Sequence, residues 1–374
     1  MTKHGYNRLK VDLPALVHNL KEVRRLAGPG TRIMGIVKAD AYGHGQVPVS
    51  RILVKNGVDC LGVAFVHEAL DLRQKGIGCS VVVLCGIQTR EEAAAVVENN
   101  LTPVVYDLNA VEMLARESEM RGKHTCVHIK VDTGMGRLGL SCPDIPAFVG
   151  RIKTFGSIYV EGLTSHLSSA DEPARDFTLH QIETFASTIE TVRAMGLELP
   201  FNNLPNSAGI MGFGNAHLEM ARPGIMLYGG LPSPECGRMA SLRPVMHFIG
   251  RILQVRCLPD QTPVSYGRSY YTDGPKRIAV LSAGYADGIP RKLSNRGKVL
   301  IRGRKFPIVG RVCMNMLMCD VTAIENIGPG ETVVFLGTQG EETITGEEMA
   351  GWAETISYEV FCNIGRSHDK EYVL

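Results

Sequence analysis

Lys38 stands at the end of a short apolar run, residues 33–37, and a loop with two glycines follows it. The run has the composition of a buried parallel strand. If that strand belongs to a barrel, the lysine points into the mouth where barrel enzymes carry out catalysis. By position alone, a surface lysine after a strand would be the simpler interpretation. Lys38 is therefore a candidate catalytic amine that needs partners.

Polar residues end or follow four later apolar runs in the same way. Arg137 follows the fifth run (125–131), and His166 ends the sixth (158–166). Asn206 and Ser207 follow the seventh run (201–205), and Arg222 lies near the end of the eighth (219–226). Each of these alone could be a core histidine or a surface charge. In a barrel, however, all of them converge with the lysine on one mouth. The set therefore predicts a single functional site.

The ends of the seventh and eighth runs suit a phosphate group. Ser207-Ala208-Gly209 would open a short helix, and Gly224-Ile225 lies just past the eighth run. Backbone N–H groups at a helix start carry partial positive charge, and a glycine lets them approach a phosphate closely. The loops after strands seven and eight are also the common phosphate site of this type of barrel. Ordinary turn glycines would explain either feature seen alone.

The alternation of patterns between residues 30 and 230 predicts the barrel itself. Strand-like runs are expected near 33–38, 59–64, 80–85, 102–106, 125–131, 158–166, 201–205 and 219–226. Helical patterns fall between them, at 47–56, 66–75, 90–99, 108–121, 144–153 and 173–195, with a short helix after Ser207. Eight strands, each followed by a helix or turn, favour an α/β fold with a (β/α)8 TIM-type barrel.

A Pro/Gly-rich stretch at 229–235 separates this region from one of different character. Short β-like runs follow it at 245–255, 277–281, 298–301, 306–309, 318–321 and 332–336, which predicts a smaller, mainly antiparallel β domain. A helix is expected at 345–355, with Thr345 and Glu348 as a capping box. We place the barrel domain at residues 1–235 and the β-rich domain at 236–374.

Composition argues against several classes of protein. Lys and Arg exceed Asp and Glu by only 40 − 38 = 2 residues, so no net field points to nucleic acid or an anionic membrane. No run of about 18 apolar residues predicts a transmembrane helix, and no signal peptide is expected. The 10 cysteines lack CxxC spacing, which favours reduced thiols in a cytoplasmic protein over disulfides or a metal site.

Six stretches across nearly the whole chain resemble the alanine racemase family. They are VKADAYGHG at 37–45, HIKVDTGMGRLG at 128–139, ARPG at 221–224, SYG at 265–267, SAGYADGIPR at 282–291 and GRVCM at 310–314. The resemblance implies a racemase that uses pyridoxal 5'-phosphate (PLP), with Lys38 forming an imine with the cofactor. It further implies a homodimer with shared active sites, with alanine as the substrate and D-alanine supplied for peptidoglycan.

The same resemblance implies roles for individual residues. Lys38 would be the base for D-alanine, and Tyr266 from the partner subunit would be the base for L-alanine on the opposite face. Arg222 would face the pyridine nitrogen and His166 would pack against the ring. The cofactor phosphate and its surroundings would be held by Tyr42, Asn206, Ser207, Gly224, Ile225 and Tyr358. Arg137 and the backbone of Met314 would bind the substrate carboxylate, Tyr285 would narrow the access, and Lys130 matches a position that is carbamylated in some members.

Two residues depart from the family pattern, and three rival functions stay open. Asn203 stands where the family commonly has a histidine bonded to the arginine at the pyridine nitrogen, and Asn315 where an aspartate is usual. The first rival, a PLP barrel decarboxylase, would need an acidic residue where Arg222 stands. The second is a racemase for serine or for a broad range of amino acids. The third is a non-catalytic PLP-binding protein, and the second domain argues against it, since the known examples resemble only the barrel.

Overall fold

The computed structural model describes residues 5–374, and its first half alternates strands with helices. The strands are β1 (Arg8–Asp12), β2 (Arg32–Ile36), β3 (Cys60–Val63), β4 (Ser80–Val83), β5 (Thr102–Val105), β6 (Thr125–Asp132), β7 (Leu140–Ser141), β8 (Ile158–Thr164) and β9 (Met220–Ala221). The helices are α1 (Leu13–Ala27), α2 (Lys38–Tyr42), α3 (Gln46–Lys55), α4 (Val66–Gln74), α5 (Arg90–Glu98), α6 (Leu108–Met120), α7 (Ile145–Ile152), α8 (Asp176–Ala194) and α9 (Ser207–Gly212).

Parallel pairings close the first half into a ring. Neighbouring strands pair from β2 through β3, β4, β5 and β6 to β8, and β2 also pairs with β9. Asn203 bridges the remaining gap, because it makes isolated parallel bridges to Thr164 of β8 and to Met220 of β9. The predicted barrel fold is thus present, with a single bridging residue in place of the seventh strand.

The expected strands at 201–205 and 219–226 are shorter than predicted, for a local reason. The side chain of Asn202 accepts a bond from the Leu163 amide at 2.9 Å, so a side chain replaces one ladder bond. Pro205 and Pro223 have no N–H to donate to a ladder. Only Met220–Ala221 of the eighth run remains a strand.

The barrel strands and helices bury the faces that their sequences dictate. Every residue of β3 and β5 is buried, as expected for parallel strands covered on both faces. Helix α6 buries one face and is capped by Asp107, whose side chain accepts from the Ala110 amide. Its buried positions follow the 3.6-residue period, at Ala110, Val111, Leu114, Ala115 and Ser118.

The second half forms a sheet that is mainly antiparallel, as predicted. Its elements are β10 (Met246–Leu258), β11 (Lys276–Leu281), β12 (Lys298–Ile301), β13 (Arg304–Pro307), β14 (Leu317–Asp320), β15 (Thr332–Gln339), β16 (Glu342–Ile344), α10 (Gly346–Ala353), α11 (Ser357–Ser367) and β17 (Lys370–Val373). The long strand β10 pairs antiparallel with β1, β11 and β15, while β17 pairs in parallel with β1. The strand β1 therefore joins the sheet of the second half, and the domain boundary at 235/236 stays a prediction.

The helix predicted at 345–355 is present as α10, and its predicted capping box is confirmed in part. The Thr345 hydroxyl accepts from the Glu348 amide at 3.1 Å and caps α10. The Glu348 carboxylate bonds the ammonium group of Lys305 at 2.8 Å, so this side chain serves the neighbouring sheet. Among residues 5–374 we find no helix that combines the length and apolar character needed to span a bilayer.

Candidate active site

Lys38 opens a turn of left-handed helix directly after β2. Residues Ala39 to Tyr42 have φ between 53° and 54°, a conformation that costs L-residues about 1–2 kcal/mol each. Surrounding groups compensate this cost. The Ala39 amide donates to the Glu68 carboxylate at 2.7 Å, and the buried His44 ring donates from Nδ1 to the Ala41 carbonyl at 3.0 Å. The turn is therefore held in this conformation by its neighbours, and it sets the direction of the Lys38 side chain.

One cavity of about 410 Å³ at the barrel mouth collects most of the predicted site residues. Most of these residues lie in or just after barrel strands, as the barrel prediction requires, whereas Tyr358 comes from α11 of the second half. The predicted residues that line it are Lys38, Tyr42, Lys130, Arg137, His166, Asn206, Ser207, Arg222, Gly224, Ile225 and Tyr358. Eleven of the fourteen predicted site residues thus meet in one place.

The cavity is strongly cationic, and this lowers the pKa values of its amines. Burial, followed by the charges of Arg137 and Arg222, lowers the pKa of Lys38. Burial and the same two guanidinium groups hold the pKa of Lys130 well below its usual range. Burial lowers the pKa of Arg222 to about 10, which still leaves it charged at neutral pH. The amines are therefore easier to deprotonate than free lysine, whereas Arg222 stays cationic.

Arg222 is held by acceptors on three sides. Its Nη1 donates to Asn203 Oδ1 at 2.8 Å and also to the Thr164 hydroxyl. Its Nη2 donates to the Leu204 carbonyl and to Nδ1 of His166, both at 3.1 Å. The guanidinium group is buried, so these bonds fix its plane and leave little freedom to rotate.

Asn203 connects Arg222 to a second buried layer. Since its Oδ1 faces the guanidinium donor, its Nδ2 points the other way and donates to His128 Nδ1 at 3.1 Å. The other nitrogen of His128 lies 3.6 Å from the Glu161 carboxylate. Nδ1 of His128 must accept this bond, which places its proton on Nε2, toward Glu161. The asparagine thus supplies the acceptor that Arg222 needs and is itself oriented from behind.

The far side of the cavity forms a cradle of small and hydroxyl-bearing residues. The Ser207 hydroxyl accepts from the Gly224 amide at 3.0 Å. A side chain at position 224 would begin 2.5 Å from the Tyr42 hydroxyl, so any residue other than glycine would displace this tyrosine. The rings of Tyr42 and Tyr358 lie 5.9 Å apart beside it. The phosphate position stays a prediction, and these are the residues on which it rests.

Asn206 has its side chain occupied within the chain. Its Oδ1 accepts from the Gly209 amide at 3.0 Å and its Nδ2 donates to the Leu167 carbonyl at 3.2 Å. Asn206 therefore caps α9 and shapes the cavity wall, with its Oδ1 and one Nδ2 proton bonded within the chain.

Tyr266, Tyr285 and Met314 lie outside this cavity and form a second cluster. Their exposed fractions in the single chain are 69%, 43% and 56%. The segments that carry them are joined, because the Tyr285 amide donates to the Cys313 carbonyl at 3.0 Å and the Ser265 hydroxyl to the Arg311 carbonyl at 2.6 Å. The fold thus assembles the cluster, and none of its three residues lines the Lys38 cavity of the same chain.

Comparison with known proteins identifies the family. The model of the alanine racemase N-terminal domain matches residues 11–232, and that of the alanine racemase C-terminal domain matches residues 245–372. The chain belongs to the alanine racemase family. This result confirms the resemblance noted in the sequence and the predicted class of enzyme, an isomerase.

Individual alanine racemases are similar over nearly the full length. The enzyme of Syntrophobacter fumaroxidans is 43% identical and the match covers 98% of each chain. That of Methanococcus maripaludis is 40% identical over 97% of this chain and 98% of its own. The crystal structure of alanine racemase from D-cycloserine-producing Streptomyces lavendulae has a TM-score of 0.94 and 30% identity, covering 100% of this chain and 98% of that one. The predicted fold is confirmed.

Several residues of the site were not predicted from the sequence. Glu68 bonds the left-handed turn, Thr164 bonds Arg222, and Cys85 lines the cavity beside the two amines. Thr164 and Cys85 lie at the ends of predicted strands, so the strand-end criterion that found His166 also applied to them. Glu68 carried no such signal, because it lies in the first turn of α4.

Proposed function

We propose that this member of the alanine racemase family interconverts L- and D-alanine with PLP. The observation that carries the proposal is the single cavity that Lys38, Arg222, Ser207 and Gly224 line together. The cofactor would supply an electrophilic carbon and a ring that acidifies the α-proton of the amino acid. The remaining steps follow from groups of the protein.

The residues present fit this cofactor. Glycine at position 224 lets the Tyr42 hydroxyl approach the main chain closely, so this hydroxyl and the neighbouring backbone can face a phosphate together. Lys38 would hold the cofactor through its amine, whose lowered pKa favours the unprotonated, nucleophilic form. Two tyrosine hydroxyls, from Tyr42 and Tyr358, lie next to the cradle as donors.

Arg222 would set the protonation state of the pyridine nitrogen of the cofactor. A guanidinium group only donates hydrogen bonds, and at neutral pH this one keeps its protons. It would therefore leave the ring nitrogen without a proton of its own, which weakens the ring as an electron sink. The acceptors around Arg222 support this role because they hold the group in one orientation.

Racemisation needs a proton removed on one face and delivered on the other, so one base is not enough. Lys38 would act on one face and Tyr266 on the other. Tyr266 is 69% exposed and lies outside the Lys38 cavity, which supports a homodimer in which the partner's tyrosine completes each site. Arg137 would bind the substrate carboxylate, together with the Met314 backbone, and Tyr285 would narrow the access.

Lys130 would carry a carbamate. Its lowered pKa leaves an unprotonated amine, which can attack CO₂ with loss of one proton to form an N–C bond. The anion produced would lie near Arg137 and Arg222, whose charges favour it. Equilibration with ¹³C-bicarbonate should give one protein-bound carbamate resonance that is lost in Lys130→Ala.

The decisive experiment follows the reaction in heavy water. Purified protein with added PLP and L-alanine should produce D-alanine and exchange the α-hydrogen for deuterium. Lys38→Ala should abolish both and also remove the absorbance of the bound cofactor. Formation of an amine or of pyruvate in place of D-alanine would contradict the proposal. A panel of other amino acids, serine first, measures the substrate range.

We further propose that the protein acts in the cytoplasm and supplies D-alanine for peptidoglycan. The 10 cysteines are all free thiols in the structure, which fits a reducing compartment. Fractionation of cells that carry the tagged protein tests the location. Growth that depends on added D-alanine after deletion of the gene tests the role.

A further inference from the structure

The last two elements of the chain lie against the left-handed turn that carries Lys38. Four consecutive residues of this turn, Ala39 to Tyr42, have positive φ, and none is a glycine. Such a conformation is disfavoured for L-residues and persists only where neighbouring structure imposes it. The neighbours that impose it therefore also set the position of the lysine.

Asp40, in the middle of the turn, is held at both carboxylate oxygens. Its Oδ1 accepts from the Gln46 amide at 2.7 Å, which ties the turn to the start of α3. Its Oδ2 accepts from the ammonium group of Lys370 at 2.7 Å. Lys370 is the first residue of β17, so this ion pair joins the C-terminal strand to the turn. Water screens this pair in part, because the Lys370 side chain is 15% exposed and the Asp40 side chain is 50% exposed.

Close packing adds to the ion pair. A side chain at Gly365 of α11 would begin 2.1 Å from the Gly43 carbonyl oxygen, so the helix backbone rests directly on the end of the turn. A side chain at Gly45 would begin 1.9 Å from the hydroxyl of Tyr372 in β17. Both contacts come from the same C-terminal segment as Lys370. Together they leave the turn little space to relax.

We propose that Lys370 is a positioning residue for Lys38 of its own chain, acting through Asp40 and the left-handed turn. The proposal rests on the proposed role of Lys38 in the racemase. It gives the C-terminal domain two separate tasks. Its exposed cluster with Tyr266 would serve the partner's site, whereas its last strand holds the catalytic lysine of the same subunit.

Loss of the ion pair should loosen the turn without removing any group that touches substrate. The lysine amine would then sample several positions, so cofactor affinity and kcat should fall. KM for alanine should change little, because Arg137 lies on a different strand end and keeps its place. The expected result is therefore a split between kcat and KM together with weaker cofactor binding.

Three variants of the full-length protein test the proposal. Lys370→Met removes the charge, Lys370→Arg keeps it, and Arg8→Met removes a cation that pairs β1 with Glu371 of the same strand β17. In the cofactor-free protein, amide hydrogen exchange of residues 38–46 should become about tenfold faster in Lys370→Met and change less than about twofold in the other two. Titration with PLP, followed by absorbance, should give a Kd about tenfold higher only in Lys370→Met.

Each outcome decides the matter. Unchanged exchange and unchanged PLP affinity in Lys370→Met would overturn the positioning role. Equal effects in Arg8→Met would also overturn it, since they would reflect general loosening of β17. These measurements need no substrate, so they stand even if the protein forms no D-alanine. Conversely, D-alanine formation by the unaltered protein would persist if only the positioning role were wrong.

Discussion

The barrel mouth and the exposed cluster of the second domain contribute to the proposed site in opposite ways. At the mouth, Arg222 is buried and bonded on three sides, and Lys38 projects from a turn fixed by neighbouring elements. In the cluster, Tyr266 and Met314 are more than half exposed. The first region is organised within one chain. The second is ordered by backbone bonds but presents its side chains outward.

This difference shows where the energy for organising the site comes from. Burial and hydrogen bonds within one chain stabilise the side chains at the barrel mouth. Substitutions there should therefore affect both stability and activity. In the proposed homodimer, the exposed cluster would be covered by the partner subunit. Substitutions there should affect turnover and leave the stability of the single chain nearly unchanged, within about 0.5 kcal/mol.

The largest effects are expected from the two proposed bases. Lys38→Ala and Tyr266→Phe should each lower kcat by at least about 10²–10⁴-fold, since each removes one proton-transfer group. Only Lys38→Ala should also abolish the bound-cofactor spectrum. Kinetics in both directions and absorbance spectra of the two variants measure this. A Tyr266→Phe protein with undiminished turnover would remove this residue from the mechanism.

Mixing the two variants tests whether Lys38 and Tyr266 of one active site come from different subunits. If the partner supplies Tyr266, each mixed dimer has one site with both substitutions and one intact site. Random reassembly of equal amounts should then recover about a quarter of the original activity, because half of the dimers are mixed. Recovery of none after verified subunit exchange would mean that Lys38 and Tyr266 act from the same chain.

The sequence predicted which residues meet at the barrel mouth better than it predicted the lengths of the strands that carry them. The residues at strand ends, such as Lys38 and His166, follow from the alternation of buried runs and from the rule that barrel sites lie at strand ends. The seventh strand was predicted too long, because the Asn202 side chain takes the place of one ladder bond and Pro205 has no N–H to donate. Such replacement depends on neighbours distant in the chain, which local patterns do not reveal.

The left-handed turn at residues 39–42 is a second feature that local sequence patterns do not reveal. Nothing in Ala39-Asp40-Ala41-Tyr42 favours positive φ, since alanine is a good former of right-handed helix. The conformation follows from Glu68, Lys370 and Gly365, which are far apart in sequence. By contrast, Tyr266 was identified only through the family resemblance, because an exposed tyrosine in a short turn carries no signal of its own.

The buried histidine of the turn should make stability depend on pH. Burial lowers the pKa of His44 to about 4, below the 6.5 of a free histidine. Between these values the unfolded chain binds a proton that the folded chain does not, so stability falls as pH falls from about 6.5 to 4. The loss should total about 3 kcal/mol, with a steepest slope near 1.4 kcal/mol per pH unit.

The comparison that isolates this effect uses His44→Asn, whose amide can donate to the same carbonyls but does not titrate. Chemical unfolding at fixed protein concentration from pH 7 to pH 4.5 should show a smaller decline in this variant. Parallel declines in the two proteins would show that His44 is not the group responsible. A matched substitution in the exposed cluster, Tyr285→Phe, should leave the decline unaltered.

Substitutions of Asn203, which accepts a hydrogen bond from Arg222, test whether this residue fixes the orientation of the guanidinium group. Asn203→Leu removes the acceptor of Arg222 Nη1 and the donor to His128, and should cost about 1–3 kcal/mol of stability. A less well oriented guanidinium group should also shift the absorbance maximum of the bound cofactor. Asn203→His, which restores the residue common in the family, should keep the spectrum. An unshifted spectrum in Asn203→Leu would mean that Thr164 and the carbonyl acceptors suffice.

The smallest effect is expected from Tyr285, at the edge of the exposed cluster. The residue is 43% exposed in the single chain, so Tyr285→Ala should change the free energy of unfolding by no more than about 0.5 kcal/mol. If it narrows the access, removing its ring should raise kcat/KM for serine relative to alanine by roughly tenfold, the scale of one lost pocket contact. Steady-state kinetics with both amino acids measure the ratio. Tyr285→Phe keeps the ring and should leave that ratio near its original value, whereas an equal ratio in all three proteins would place the restriction on substrate size inside the barrel mouth.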